Sequence, residues 1–244
     1  MPRLLSLETS TDRGAFALWS GDVVDCNVTT TICREFNCPS GQPHAETLLP
    51  AVREALIDLG WSLDSLDAIA FDAGPGMFTG LRVSAALAQG LAVALDKPLI
   101  PVSSLEVLAE STFEPTGATT VLALLDARMN QIYAGGWTKL ASGWQPVFEP
   151  CLVNPDALDQ LPELPEPYVA AGTGVEEYPP VKAWLDKQAV ADAGVRYPSA
   201  VALARLGAIR FAEGQLTDPA DAIPVYVRDR VALTTAERAA GESL

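Results

Sequence analysis

Between Thr79 and Leu95 the chain runs the length of a helix with only Arg82, Ser84 and Gln89 distinctly polar. Ala85, Ala86, Ala88, Gly90, Ala92 and Ala94 are small, and Leu81, Val83, Leu87, Leu91, Val93 and Leu95 surround them. A helix apolar nearly all round must be covered nearly all round. One side is expected to face a sheet of its own lobe. The other needs a second helix or a partner chain, and small residues let helices approach closely. A second helix is predicted over 45–59, where Leu48, Leu49, Val52, Leu56 and Leu59 share a face. Pro50 is placed in its first turn, where a missing N–H costs little, and Gly60 just past its end.

The rest of the pattern is strand-rich. Strands are expected over 4–8, 15–19 and 23–31, with turns at Asp12-Arg13-Gly14 and Ser20-Gly21-Asp22, and a loop over 35–43. Residues 68–71 read as a short buried strand broken by Gly74-Pro75-Gly76, and 99–102 as another. Ser103 or Ser104 is expected to cap a helix over 105–110. Strands then restart at 121–125 and 131–137, followed by helices such as 201–211. This order, strands first and helices after, occurs twice without a detectable sequence repeat. It predicts a duplicated α/β lobe, with an N-terminal lobe over 1–103, a C-terminal lobe over 104–230 and a polar tail over 231–244.

Composition narrows the function. The 244 residues are 49% hydrophobic and carry a net charge of −15, enough for a full core but repulsive to phosphate backbones. The chain is therefore not expected to grip nucleic acid by itself. The apolar start is too short for a secretory leader, and the apolar helix over 83–95 is short of the ~20 residues a bilayer crossing needs. The expectation is a cytoplasmic protein with reduced thiols. Cys26, Cys33, Cys38 and Cys151 form no CxxC pair, and with His44 the single histidine, no two-histidine metal motif exists. A Ser-His-Asp triad would have to use His44, and neither Ser10 nor Ser103 sits in GxSxG. The turn Gly74-Pro75-Gly76 opening a helix can present backbone N–H groups to an anion. It lacks a P-loop lysine, and a tight turn needing φ > 0 explains its glycines as well.

Several segments, taken together, match a known family. They are Leu7-Glu8-Thr9-Ser10, His44 to Pro50, Gly74 to Arg82, Asp126 to Tyr133, and Pro224 to Arg228. In this order and spacing the chain resembles the bacterial TsaB (YeaZ) family. The resemblance implies a two-lobed actin/sugar-kinase-like (ASKHA) α/β fold. It also implies a role in tRNA threonylcarbamoyladenosine synthesis, as a non-catalytic subunit that dimerises through its N-terminal lobe with a catalytic TsaD-like paralogue. A TsaE-like ATPase is the further partner, and a homodimer is expected when the chain is alone.

The catalytic relative carries a metal-binding HxxxH where this chain has Ser104 and Leu108, and a leucine cannot ligate a metal. No catalytic residue, metal or cofactor is therefore expected. The rival reading is a glycoprotease-like peptidase or nucleotide phosphotransferase of the same fold. Thr9, Ser10, Gly74, Gly76, Thr79 and Gly80 form the candidate anion or nucleotide loop. Asp72 and Ala73 depart from the Gly and Arg that the family often has before Gly-Pro-Gly. The dimer interface is expected at Leu48, Val52, Leu56, Leu81, Ser84, Ala85, Ala88, Leu91 and Ala92, on the two N-terminal-lobe helices.

Overall fold

The computed structural model describes residues 1–39 and 42–228, so the tail expected over 231–244 lies outside the described residues. The chain opens on β1 (Arg3–Glu8), β2 (Ala15–Val24) and β3 (Asn27–Asn37). It continues through α1 (His44–Asp58), β4 (Ala68–Gly74), α2 (Phe78–Leu95) and β5 (Leu99–Ser103). Helix α3 (Ser104–Thr116) leads to β6 (Thr120–Asp126), β7 (Ile132–Leu140), β8 (Gly143–Val153) and β9 (Val169–Ala171). The elements α4 (Thr173–Glu177), α5 (Pro179–Gln188), β10 (Ala191–Asp192) and α6 (Ala200–Ala212) follow.

The strands form two five-stranded sheets, ordered β3-β2-β1-β4-β5 and β10-β9-β6-β7-β8. In the first, β1, β2 and β3 pair antiparallel while β4 joins β1 and β5 joins β4 in parallel. The second repeats those pairings with β6 in the place of β1. This is the two-lobed actin/sugar-kinase-like architecture, its topology duplicated although the sequence is not.

Period-two alternation sets what each face of the first sheet meets. Leu5, Leu7, Phe16, Leu18, Ile69 and Phe71 pack under α1 and α2. Leu4, Ala17, Trp19, Ala68 and Ala70 face the opposite way, into a core shared with α3, α6 and β6. Helix α6 lies on β1 and β2, with the buried Ser6 hydroxyl donating to Ala200 O at 2.7 Å. The chain then stays with the first sheet: Thr217 bridges Leu99, Gln89 donates to the carbonyls of Pro219 and Ala222, and Val225 N reaches Ala73 O. The assignment of 104–230 to one lobe is therefore corrected, because residues 200–228 return to the N-terminal sheet. That sheet has a second apolar face, and α1 and α2, both on the first, cannot cover it.

Local expectations need correcting in four places. The first hairpin turns at Asp25-Cys26, both at positive φ, and not at Ser20-Gly21-Asp22. Gly21 instead sits at an irregularity inside β2, where an added Cβ would overlap Thr29 O. Pro50 lies inside α1, past its first turn. Ser103 takes the N-cap position of α3 but makes no side-chain capping bond, and the Ser103 and Ser104 hydroxyls are both buried without a partner. Helix α2 begins at Phe78, so its 18 residues are long and apolar enough to cross a membrane by length and composition, yet it lies against β4.

The largest correction concerns the expected interface. Leu48, Val52, Leu56, Leu81, Ser84, Ala85, Ala88, Leu91 and Ala92 are all buried inside this single chain. Ala85, Ala88 and Ala92 pack with Leu5, Leu7 and Phe71, because the small stripe is what lets α2 sit close on its own sheet. The outward face of the two helices is a different set: Leu49, Ile57, Ala86, Gly90, Val93 and Ala94 are exposed, with Ile57 at 75% and Val93 at 72%.

Candidate functional site

Four loops converge between the sheets, each following the C-terminal end of a strand: those after β1, β4, β6 and β9. In open α/β sheets this end is where ligand crevices form. A cleft of about 240 Å³ lies between Pro75–Thr79 and the loop Asp126–Arg128, closed from a third side by Val225–Arg228. It adjoins a space of about 310 Å³ lined by Ser10, Thr11, Asp12, Thr173, Glu176 and Tyr197. Met77, Asp126 and Arg128 line both.

The structure brings the residues of the candidate anion loop together and then occupies them with one another. Met77 N donates to Ser10 O at 2.7 Å, and Thr9 Oγ1 donates to Gly80 O at 2.8 Å. Ser10 N and Oγ both donate to Glu8 Oε1, at 2.7 and 2.5 Å. A Cβ at Gly76 would stand 2.5 Å from Ser10 O, and one at Gly80 would overlap Thr9 O. These glycines let the chain's own β1–β2 turn approach the start of α2, where Ser10 O takes the Met77 N–H. Gly74, at φ +97°, is needed for a similar reason, since Val225 O passes beside it. Thr79 is exposed at the first turn of α2.

Charge argues the same way. Beneath the turn, Glu8 and Asp72 are both fully buried. Around the adjoining space stand Asp12, Asp126, Glu176 and Glu177, while the cleft itself carries Arg228 and the pair Arg128–Asp126, 3.0 Å apart. The acidic lining of that adjoining space repels phosphate. Asp126 also accepts from Tyr178 OH at 2.7 Å, and burial, followed by that carboxylate, holds the phenol above its ordinary range. Ser10 is 1% exposed, with its hydroxyl turned inward and donating to Glu8. His44 packs over Gly14. Ser104 and Leu108 are both buried on α3, and Leu108 lies against Gly172.

One feature of the cleft was invisible in the sequence. Arg128, Met129 and Asn130 take φ values of +60, +56 and +55°, a left-handed run that costs about 1–2 kcal/mol per residue. The Arg228 guanidinium holds the run from across the chain, donating to Ala127 O at 3.0 Å, Arg128 O at 3.3 Å and Gln131 Oε1 at 2.8 Å. Both segments were recognisable as motifs, but no local signal says that the second clamps the first.

With this geometry in hand, the relatives fall into place. The family model for TsaD, tRNA N6-adenosine threonylcarbamoyltransferase, matches residues 39–206. The chain is 32% identical to the tRNA threonylcarbamoyladenosine biosynthesis protein TsaB of Escherichia coli K12, over 94% of this chain and 96% of that one. The chain belongs to the TsaB (YeaZ) family. It is 30% identical to the Haemophilus influenzae protein of the same description, over 93% of this chain and 94% of that one. The solved YeaZ of Pseudomonas aeruginosa superimposes with a TM-score of 0.77 at 31% identity, covering 93% of this chain and all of that one.

Proposed function

We propose that this chain is a non-catalytic subunit of tRNA threonylcarbamoyladenosine biosynthesis that binds and activates a TsaD-like catalytic relative. The observation that carries this reading is the state of the cleft. Its glycine-rich turn is packed against the chain's own β1–β2 turn, the space beside it is lined by acidic side chains, and its serine donates inward to Glu8. Ser104 and Leu108, which stand where the resemblance implies metal-binding histidines in the catalytic relative, are buried in the core. A TsaB-family chain built this way acts through its surface.

That surface is the outward face of α1 and α2, in place of the buried stripe first expected. Ile57 and Val93 are exposed apolar side chains there, and nothing stands within 4 Å of a Cβ built at Gly90, so a partner helix could approach closely. The same face is proposed to form a homodimer when the catalytic relative is absent, with a TsaE-like ATPase as third component. The test is co-purification with the TsaD-like protein of the same organism, followed by reconstitution of tRNA modification. Modification should require both chains. A TsaD-like protein fully active without this chain would overturn the proposal.

A further inference from the structure

We infer that Glu8 and Asp72 hold one proton between Glu8 Oε2 and Asp72 Oδ2 at neutral pH, and that this shared proton fastens the floor of the cleft. Asp72 stands beside Glu8 one step past the paired Leu7 and Phe71 of the parallel strands β1 and β4. Register neighbours in a sheet are about 4.8 Å apart and project to the same side. Both side chains are fully buried. Each has one oxygen engaged: Glu8 Oε1 accepts from Ser10 N and Oγ, and Asp72 Oδ1 accepts from Thr9 N at 3.1 Å. The other oxygens, Glu8 Oε2 and Asp72 Oδ2, are buried with no donor. Among the described residues neither carboxyl enters an ion pair. The charged group acting on Glu8 from β3 is another carboxylate, Glu35, and the nearby hydroxyl on α2, Ser84 Oγ, donates to Leu81 O at 3.2 Å.

Two buried, adjacent carboxylates with orphaned oxygens repel one another. A single proton taken up from solvent turns one orphan into a donor for the other and leaves one delocalised charge. Burial, with a smaller push from Glu35, raises Glu8 to about 7, and burial followed by the Glu8 charge raises Asp72 as well. The engaged oxygens hold Thr9 and Ser10, which in turn hold Gly80 and Met77 at the start of α2.

The folded chain thus binds a proton that the unfolded chain, with Glu8 near 4.5, releases. The stability this gives is complete below about 4.5 and is lost as pH rises through about 7, the unfolding constant growing about tenfold per pH unit in that window. Infrared spectroscopy of the whole chain at pH 7 should show a protonated-carboxyl band that disappears in Asp72→Asn and in Glu8→Gln. Urea unfolding of Asp72→Asn should lose the tenfold-per-unit dependence, because the new amide donates to Glu8 without titrating. A wild-type spectrum without the band, which needs no variant to fold, overturns the inference, and so does an unchanged pH slope in Asp72→Asn.

Discussion

Gly80 and Gly90 occupy the same helix with opposite surroundings. Glycine inside a helix ordinarily costs about 0.5–1 kcal/mol relative to alanine. Gly90 is exposed with open space around it, so Gly90→Ala should stabilise the chain by about that amount, read as a higher urea midpoint. At Gly80 a Cβ would overlap the Thr9 carbonyl, and the gain in propensity is outweighed by displacing the β1–β2 turn. Gly80→Ala should therefore destabilise by about 2 kcal/mol or more, within the range of strained backbone sites. A Gly80→Ala chain as stable as wild type would mean that the turn does not rest on α2.

Helix α2 carries two faces that a substitution can tell apart. Ala88 is fully buried against the sheet, so Ala88→Arg places an unpaired charge in the core and should prevent folding. Ala86 faces outward, so Ala86→Arg should leave the thermal melt unchanged while weakening self-association in sedimentation. Unaltered association in a folded Ala86→Arg chain would remove this face from the proposed interface. Helix α6 depends on a cap from a distant strand. Glu35 Oε1 of β3 accepts from Ala200 N at 2.8 Å and Ser199 Oγ at 3.0 Å, while Ser199 Oγ accepts from Val201 N at 3.1 Å. A carboxylate here satisfies free N–H groups at the positive end of the helix. Glu35→Ala should cost about 1 kcal/mol in chemical denaturation. Glu35→Gln, which keeps the acceptor and drops the charge, should cost less.

At the scale of the molecule the governing quantity is the net charge of −15. Phosphate contacts supply most non-specific nucleic-acid affinity, and of the cleft's arginines Arg128 is paired with Asp126 while Arg228 is turned onto backbone carbonyls. The isolated chain should give no gel shift with tRNA at physiological salt. A salt-sensitive shift at low micromolar protein, without partners, would contradict this. The charged groups that are buried serve the fold, binding α3 to α6 and to the β7–β8 hairpin. Arg210 reaches Glu106 at 2.6 Å, and Glu110 takes Lys139 and the Trp144 indole, the latter at 2.7 Å.

The sequence by itself determined the element types and the duplicated order of the lobes, since period-two strands and an all-round apolar helix are written locally. It also carried the family, because motifs such as Gly74 to Arg82 keep their spacing along the chain. The direction in which α2 turns its small stripe was decided only in the tertiary structure. Ser84, Ala85, Ala88 and Ala92 suit a partner helix and an underlying sheet equally well, and the first sheet claimed them. The return of 200–228 to the N-terminal sheet, the Arg228 clamp and the Glu8–Asp72 pair were likewise decided there. Each joins residues far apart in sequence, and no local propensity records which distant backbone will need a cover, a donor or a proton.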